Sequence, residues 1–181
     1  MARYTREFST FAGVGKPTLR EESLRSIVDE FCATFARAWD GMELRCGDVK
    51  DASVCVDRDM LRQVLVNLCT NSAHAGAKSV TFATSRNTIE VRDDGSGIPA
   101  SLRDRVFDPY VTSRRMGEGM GLGLSISRKV MLDHGGDLEV AESTSEGTVM
   151  RVTFGVSECG GHAAALTVDP SRKRRHGRRT P

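Results

Sequence analysis

Nothing in the sequence approaches the ~20 uninterrupted apolar residues that a membrane helix needs, and the opening MARYTREFST lacks the apolar run of a secretory signal. A soluble, cytoplasmic chain with no membrane segment is the expectation. Five cysteines, Cys32, Cys46, Cys55, Cys69 and Cys159, show no CxxC spacing. Their odd number argues against a complete disulfide framework or a paired-cysteine zinc site, so reduced, mostly buried thiols are expected. No internal repeat is evident. The glycine-rich segment in the second half lacks both the GK[ST] of a Walker loop and the GxGxxG of a dinucleotide fingerprint.

What is present fits one globular domain. The chain has 181 residues, of which 39% are hydrophobic and 28% charged, enough for a core with short extensions. The formal charge of +2 is uneven, because RKRR at 172–175 with Arg178 and Arg179 supplies six of the 26 basic residues; up to Ser171 the remaining 20 face 24 acidic ones, a net −4. Such a tail can contact phosphates by counterion release. It follows SECGGHAAALTVDPS, which has little to bury, so a disordered, solubilising end over 158–181 is preferred and no nucleic-acid partner is expected.

From Glu21 to Ala38, apolar residues at Leu24, Ile27, Val28, Phe31, Phe35 and Ala38 predict a helix with one buried face. Residues 1–20 ahead of it, ending in Gly and Pro, read as a helix remnant and linker, and 21–157 as the domain. SVCVD at 53–57 alternates like a strand; Asp57 then caps a helix whose stripe is Leu61, Val64, Leu65 and Leu68, ending at Gly76. KSVTFATS and NTIEVRD predict an antiparallel pair, LGLSISRKVMLDHGG a helix stopped by Gly135 and Gly136, and DLEVAE with GTVMRVTFGV a second strand pair. This order implies an α+β fold, a two-layer α/β sandwich with a mixed, largely antiparallel sheet and helices on one face.

Three clusters carry chemistry. Asn67, Asn71 and His74 fall at i, i+4 and i+7 of one helix, a polar stripe that by itself also suits a solvated face. VRDDGSGIP places Asp93 and Asp94 at a strand end before two glycines, where a flat ligand can approach the backbone and a carboxylate can accept from an exocyclic amine; an ordinary Asp/Gly turn fits equally. GEGMGLGLSI alternates glycine at 117, 119, 121 and 123 and runs into a helix, whose first amides can cradle phosphate oxygens.

Joined by FDPYVTSR at 107–114, these clusters resemble the GHKL (Bergerat-fold) ATPases, specifically their histidine-kinase branch. NLCTNSAHA resembles the N box, DDGSGIP the first glycine box, FDPY the F box, GMGLGLSI the second glycine box, and HGGDLEVAESTSEGTVMRVTF the closing strands. REFSTFAGVGKPTLR further resembles the last turn of the dimerisation helices in nitrogen-regulation type sensor kinases.

The resemblance implies ATP and Mg²⁺ as ligands. Asn71 would give an oxygen to Mg²⁺, which otherwise leans on ATP oxygens and water, with Asn67 and His74 beside the phosphates. Asp93 would bind the adenine amino group, Gly95, Gly97 and Ile98 would form the base platform, and Thr148 would help through water. Tyr110, Thr112, Ser113 and Arg114 would belong to a mobile lid, with Gly119, Gly121, Leu122, Gly123 and Leu124 at its glycine hinge and helix start. His74 and Arg114 stand where lysines are common. Hydrolysing relatives carry a glutamate where this chain has Asn67; asparagine cannot take a proton from water, so transfer of the γ-phosphoryl group to a histidine is favoured over hydrolysis, with Asn67, His74 and Arg114 as catalytic candidates.

No HExxxP acceptor helix is present. A fragment or truncated kinase is expected, binding ATP without autophosphorylating and working with a histidine-bearing dimerisation domain, in cis upstream or in trans, and a response regulator. A nucleotide-binding interaction module or anti-sigma-like serine kinase of the same superfamily is the alternative.

Overall fold

Asp57 marks the point at which a strand becomes a helix: its carboxylate accepts the N–H groups of Asp59 and Met60, each at 3.1 Å, two of the donors a helix start leaves unpaired. Such local signals set most boundaries of the computed structural model, which describes residues 15–112, 119–155 and 159. The order is β1 (Arg20–Ser23), α1 (Leu24–Phe35), β2 (Glu43–Val49), β3 (Ser53–Val56), α2 (Arg58–His74), β4 (Ser79–Ser85), β5 (Thr88–Asp93), a 3-10 turn (Ala100–Arg105), α3 (Gly123–Asp133), β6 (Asp137–Thr144) and β7 (Gly147–Thr153).

The sheet runs β2-β4-β5-β7-β6, parallel only between β2 and β4. It is the mixed, largely antiparallel sheet expected. Register aligns two rows across it, Phe82, Val91, Met150, Val140 and Thr84, Ile89, Val152, Leu138. All but the half-buried Val140 are buried, and the rows pack with Leu24, Ile27, Val28 and Phe31 of α1, Leu61, Val64, Leu65 and Leu68 of α2, and Val130 and Met131 of α3. The opposite face carries charged pairs: Arg151 bridges Glu90 (2.9 Å) and Glu139 (2.8 Å) across three strands, and Arg92 meets Glu142 at 3.4 Å. One face therefore takes the helices and the other water, as period-2 alternation dictates.

Three details depart from expectation. The predicted helix from Glu21 begins instead at Leu24, because residues 20–23 pair antiparallel with β3 and Ser23 Oγ accepts the Ser26 N–H at 3.1 Å as N-cap; it ends at Phe35, short of Ala38. β2 was not predicted: its ELRCGDV is mostly exposed, and its strand state comes from pairing with β4. Nor are the cysteines all reduced and buried. Cys55 and Cys159 form a disulfide across 104 positions, Cys46 is exposed, Cys32 is half-buried with its sulfur 3.2 Å from that of Cys46, and only Cys69 is buried among the free thiols. An odd count excludes a complete framework but not one long-range pair.

Residues 1–14, where the helix remnant was expected, and the basic tail from 160 onward lie outside the described residues. Among the described residues no helix is long and apolar enough to cross a membrane.

Asp57 also accepts the Thr18 N–H at 2.9 Å. Burial pushes its carboxyl up, but the donors from Thr18, Met60 and Asp59 outweigh burial and hold it below its ordinary value. A depressed folded-state pKa contributes stability that is complete above the unfolded value of ~3.9 and is lost as pH falls through the folded one. Asp57→Ala should therefore cost about 1 kcal/mol at neutral pH and progressively less in acid. Urea denaturation at both pH values checks this, and an equal loss in acid would contradict it.

Candidate functional site

β5 turns Ile89 and Val91 into the core, so Asp93, next on that side, carries its carboxylate beneath α2. There Oδ1 accepts the N–H groups of Gly95 at 2.9 Å and Thr148 at 3.1 Å, while Oδ2 accepts the Ser72 hydroxyl at 2.8 Å. Three donors from a loop, a strand and a helix fix the plane of one charged group. Ser72 and Thr148 are buried. Cys69, one turn before Ser72, is a buried thiol pushed up to about 12, by burial first and then by the Asp93 charge, so it stays neutral.

Asp94 faces away. It accepts the Lys78 and Ser79 N–H groups at 2.7 and 2.9 Å and the Ser79 hydroxyl at 2.8 Å, and the Ser79 backbone donor foremost holds its carboxyl below the usual range. It closes the end of the β4–β5 pair, leaving Asp93 as the carboxylate of the site.

The loop after Asp93 lies between the end of α2 and the end of β6. Ser96 N donates to Ala75 O at 3.0 Å, and Ile98 N to Ser143 Oγ at 2.8 Å. Gly97 has φ +73°, and a Cβ there would run into the Thr144 carbonyl, so glycine is required. Gly95, Gly97 and Ile98 are thus gathered beside Asp93.

At the other end of the site, the FDPY turn is sewn to the glycine run. Tyr110 N donates to Gly121 O at 2.9 Å, with Tyr110 itself at φ 66° and 67% exposed. Phe107 lies under the Arg128 guanidinium, 5.0 Å from ring centroid, and Arg128 is held by two bonds to Asp137 at 2.8 and 3.0 Å. Gly119 and Gly121 lead to Leu122, buried at the N-cap of α3, which makes no side-chain capping bond. The first N–H groups of α3, at the positive end of its dipole, have no side-chain cap and suit an anion. Leu124 packs at the core margin, so its backbone alone can serve.

α2 joins the two ends. Asn67 Nδ2 donates to Ser127 Oγ at 2.9 Å, against Gly123; Asn71, half-buried, lies one turn further toward Ser72. His74 is exposed, and its Nδ1 lies 2.6 Å from Thr70 O, which requires the proton on Nδ1. Thr112 is exposed, while Ser113 and Arg114 lie outside the described residues. Sequence reading missed Ser72 and Ser127. Their signal is a small hydroxyl at a buried helical position, which pattern alone reads as filler.

These groups fit a nucleotide: a fixed carboxylate to accept from an amine, a flat glycine loop, and an uncapped helix start for phosphate. Among the described residues no three His, Cys, Asp or Glu side chains are grouped to hold a metal. Asn71 carries an amide oxygen, the kind of hard ligand accepted by a divalent cation that takes its other ligands from phosphate and water.

Comparison with known proteins agrees. Over 106 residues the chain is 39% identical to the C4-dicarboxylate transport sensor protein DctB of Rhizobium meliloti, covering 54% of this chain and 17% of that one. Over 169 residues it is 29% identical to the nitrogen regulation protein NtrY of Azorhizobium caulinodans, covering 85% and 22%. It spans about a fifth of the length of these relatives. Among solved structures, the mycobacterial sensor histidine kinase MprB superposes with a TM-score of 0.60 at 25% identity, over 75% of this chain and 96% of that one. Residues 56–158, from the end of β3 through β7, match a family description, and the chain belongs to that family, the histidine kinase-, DNA gyrase B- and HSP90-like ATPases.

Proposed function

We propose that this chain is the ATP-binding catalytic domain of a sensor histidine kinase, holding Mg·ATP and presenting its γ-phosphoryl group to a histidine on a separate dimerisation domain, from which a response regulator receives it. The observation that carries the reading is Asn67, an amide held between α2 and the start of α3 where a hydrolase would need a base. Names among the relatives, a dicarboxylate transport sensor and a nitrogen regulation protein, support a signalling role.

Asp93 would accept the adenine amino group through its remaining lone pairs, with Gly95, Gly97 and Ile98 under the ring and Thr148 beside it. Ser72 and Asp93 mark the base end, and the start of α3 marks the phosphate end. Asn71, between them, would be the protein ligand of Mg²⁺, which neutralises phosphate charge when bound. Asn67 would orient without removing a proton from water, Arg114 would supply donors near the phosphates, and His74 would lie beside them. Catalysis in such a site is positioning and electrostatics rather than covalent chemistry.

Incubation with Mg²⁺, labelled ATP and a separate dimerisation domain should put acid-labile label on that partner; acid-stable label on serine would replace this reading with a serine kinase. Asp93→Ala should reduce nucleotide affinity at least a hundredfold, as calorimetry would record, with a native circular-dichroism spectrum; unchanged affinity would reject the adenine assignment. Asn71→Ala should weaken binding in Mg²⁺ more than in EDTA, whereas equal losses would remove the metal role.

A further inference from the structure

α2 and α3 run in opposite directions and are joined at two levels. At one end, the Asp57 N–H donates to His134 Nε2 at 3.0 Å, while His134 Nδ1, 2.7 Å from Val130 O, carries the proton. His134 is 3% exposed, so both ring nitrogens are committed and the two helices are locked in register. At the other end, Asn67 meets Ser127, itself 3% exposed, one turn after Gly123 on the same face of α3.

We propose that Ser127 is a positioning residue that orients the Asn67 carboxamide toward the triphosphate end of the site; the inference rests on the nucleotide reading above. A terminal amide torsion is broad, with two orientations that exchange oxygen for nitrogen. The Ser127 hydroxyl pins the end of this side chain against α3, and in the orientation found it accepts from Nδ2. Oδ1 is then turned to Gly123, at the uncapped start of α3, where a Cβ would strike it. Glycine at 123, whose φ is not positive, is thereby explained by close approach rather than by backbone freedom.

Direction along α2 says which part of the nucleotide is affected. Ser72 touches Asp93 at the base end, and Asn67 lies five residues earlier, about 7.5 Å along the axis at 1.5 Å per residue. A ligand anchored by its base at Asp93 meets Asn67 beyond that base, on the side of the uncapped α3 start. Ser127 therefore acts on phosphate contacts rather than on base recognition, and does so through Asn67.

The test uses the full chain, ¹⁵N-labelled, as wild type, Ser127→Ala and Ser127→Thr. The Asn67 side-chain amide signals are followed by NMR, and Mg·AMP-PNP and adenosine are titrated by calorimetry. Ser127→Ala should shift the Asn67 pair and weaken AMP-PNP about fivefold, the worth of one ordinary hydrogen bond, with adenosine unchanged; Ser127→Thr should restore both. Should alanine impair folding, Ser127→Cys keeps the volume while weakening the acceptor and carries the same expectation. Unmoved Asn67 signals, or equal losses for the two ligands, would overturn the positioning role while leaving the nucleotide site standing. Wild-type chain that binds neither ligand would overturn the site itself.

Discussion

The carboxylate of Asp93 is the group on which the remaining geometry turns. It is an ionisable side chain half-withdrawn from water, and such a group is tolerated only when donors replace its hydration. Gly95, Thr148 and Ser72 supply them, and each comes from a different element. Satisfying one charge therefore fixes the glycine loop, the start of β7 and the C-terminal half of α2 relative to one another. Two donors fall on Oδ1 and one on Oδ2, so acceptor capacity remains on the oxygen beside Ser72. The same arrangement that holds the loop in place is what the proposed function uses to select a base.

The opposite end of the site is built from the packing of α2 on α3. His134 holds the N-cap of α2 to the last turn of α3, and Asn67 holds the middle of α2 to the first turns of α3. Arg128 extends this frame outward, binding Asp137 at the start of β6 while covering Phe107 of the FDPY turn. The glycine run thus enters a helix already fixed along its length. Thr18, just ahead of β1, is bonded to Asp57, the residue that also donates to His134. The stretch preceding the domain is thereby in direct contact with the hydrogen-bonded link between the two helices of the site.

How far the sequence could be read depended on whether an element's reason for existing was local. The stripes of α1 and α2, the Asp57 cap, the glycine stop after α3 and the alternation of β4, β5, β6 and β7 are short-range features, and all were legible. β1 and β2 were not, because REES and ELRCGDV bury little and are strands only by virtue of distant partners, β3 and β4. The Cys55–Cys159 pairing fails for the same reason. In the site, Asn67, Asn71, Asp93 and the glycines stood out because their short motifs, in that order, together resemble the boxes of a known family, though each alone also suits an ordinary surface or turn. Ser72 and Ser127 did not, since a serine on a buried stripe acquires meaning only from what it touches.

By itself, then, the sequence determined the layer architecture, the order of the elements other than β1 and β2, and the identity of the polar clusters, since hydrophobic period, capping and glycine placement act within a few residues. Tertiary structure alone decided that Asn67 meets Ser127 and that His134 bonds the start of α2. Those contacts join positions 60 and 77 residues apart, and a hydrogen bond has no signature in sequence until folding brings donor and acceptor within 3 Å or so.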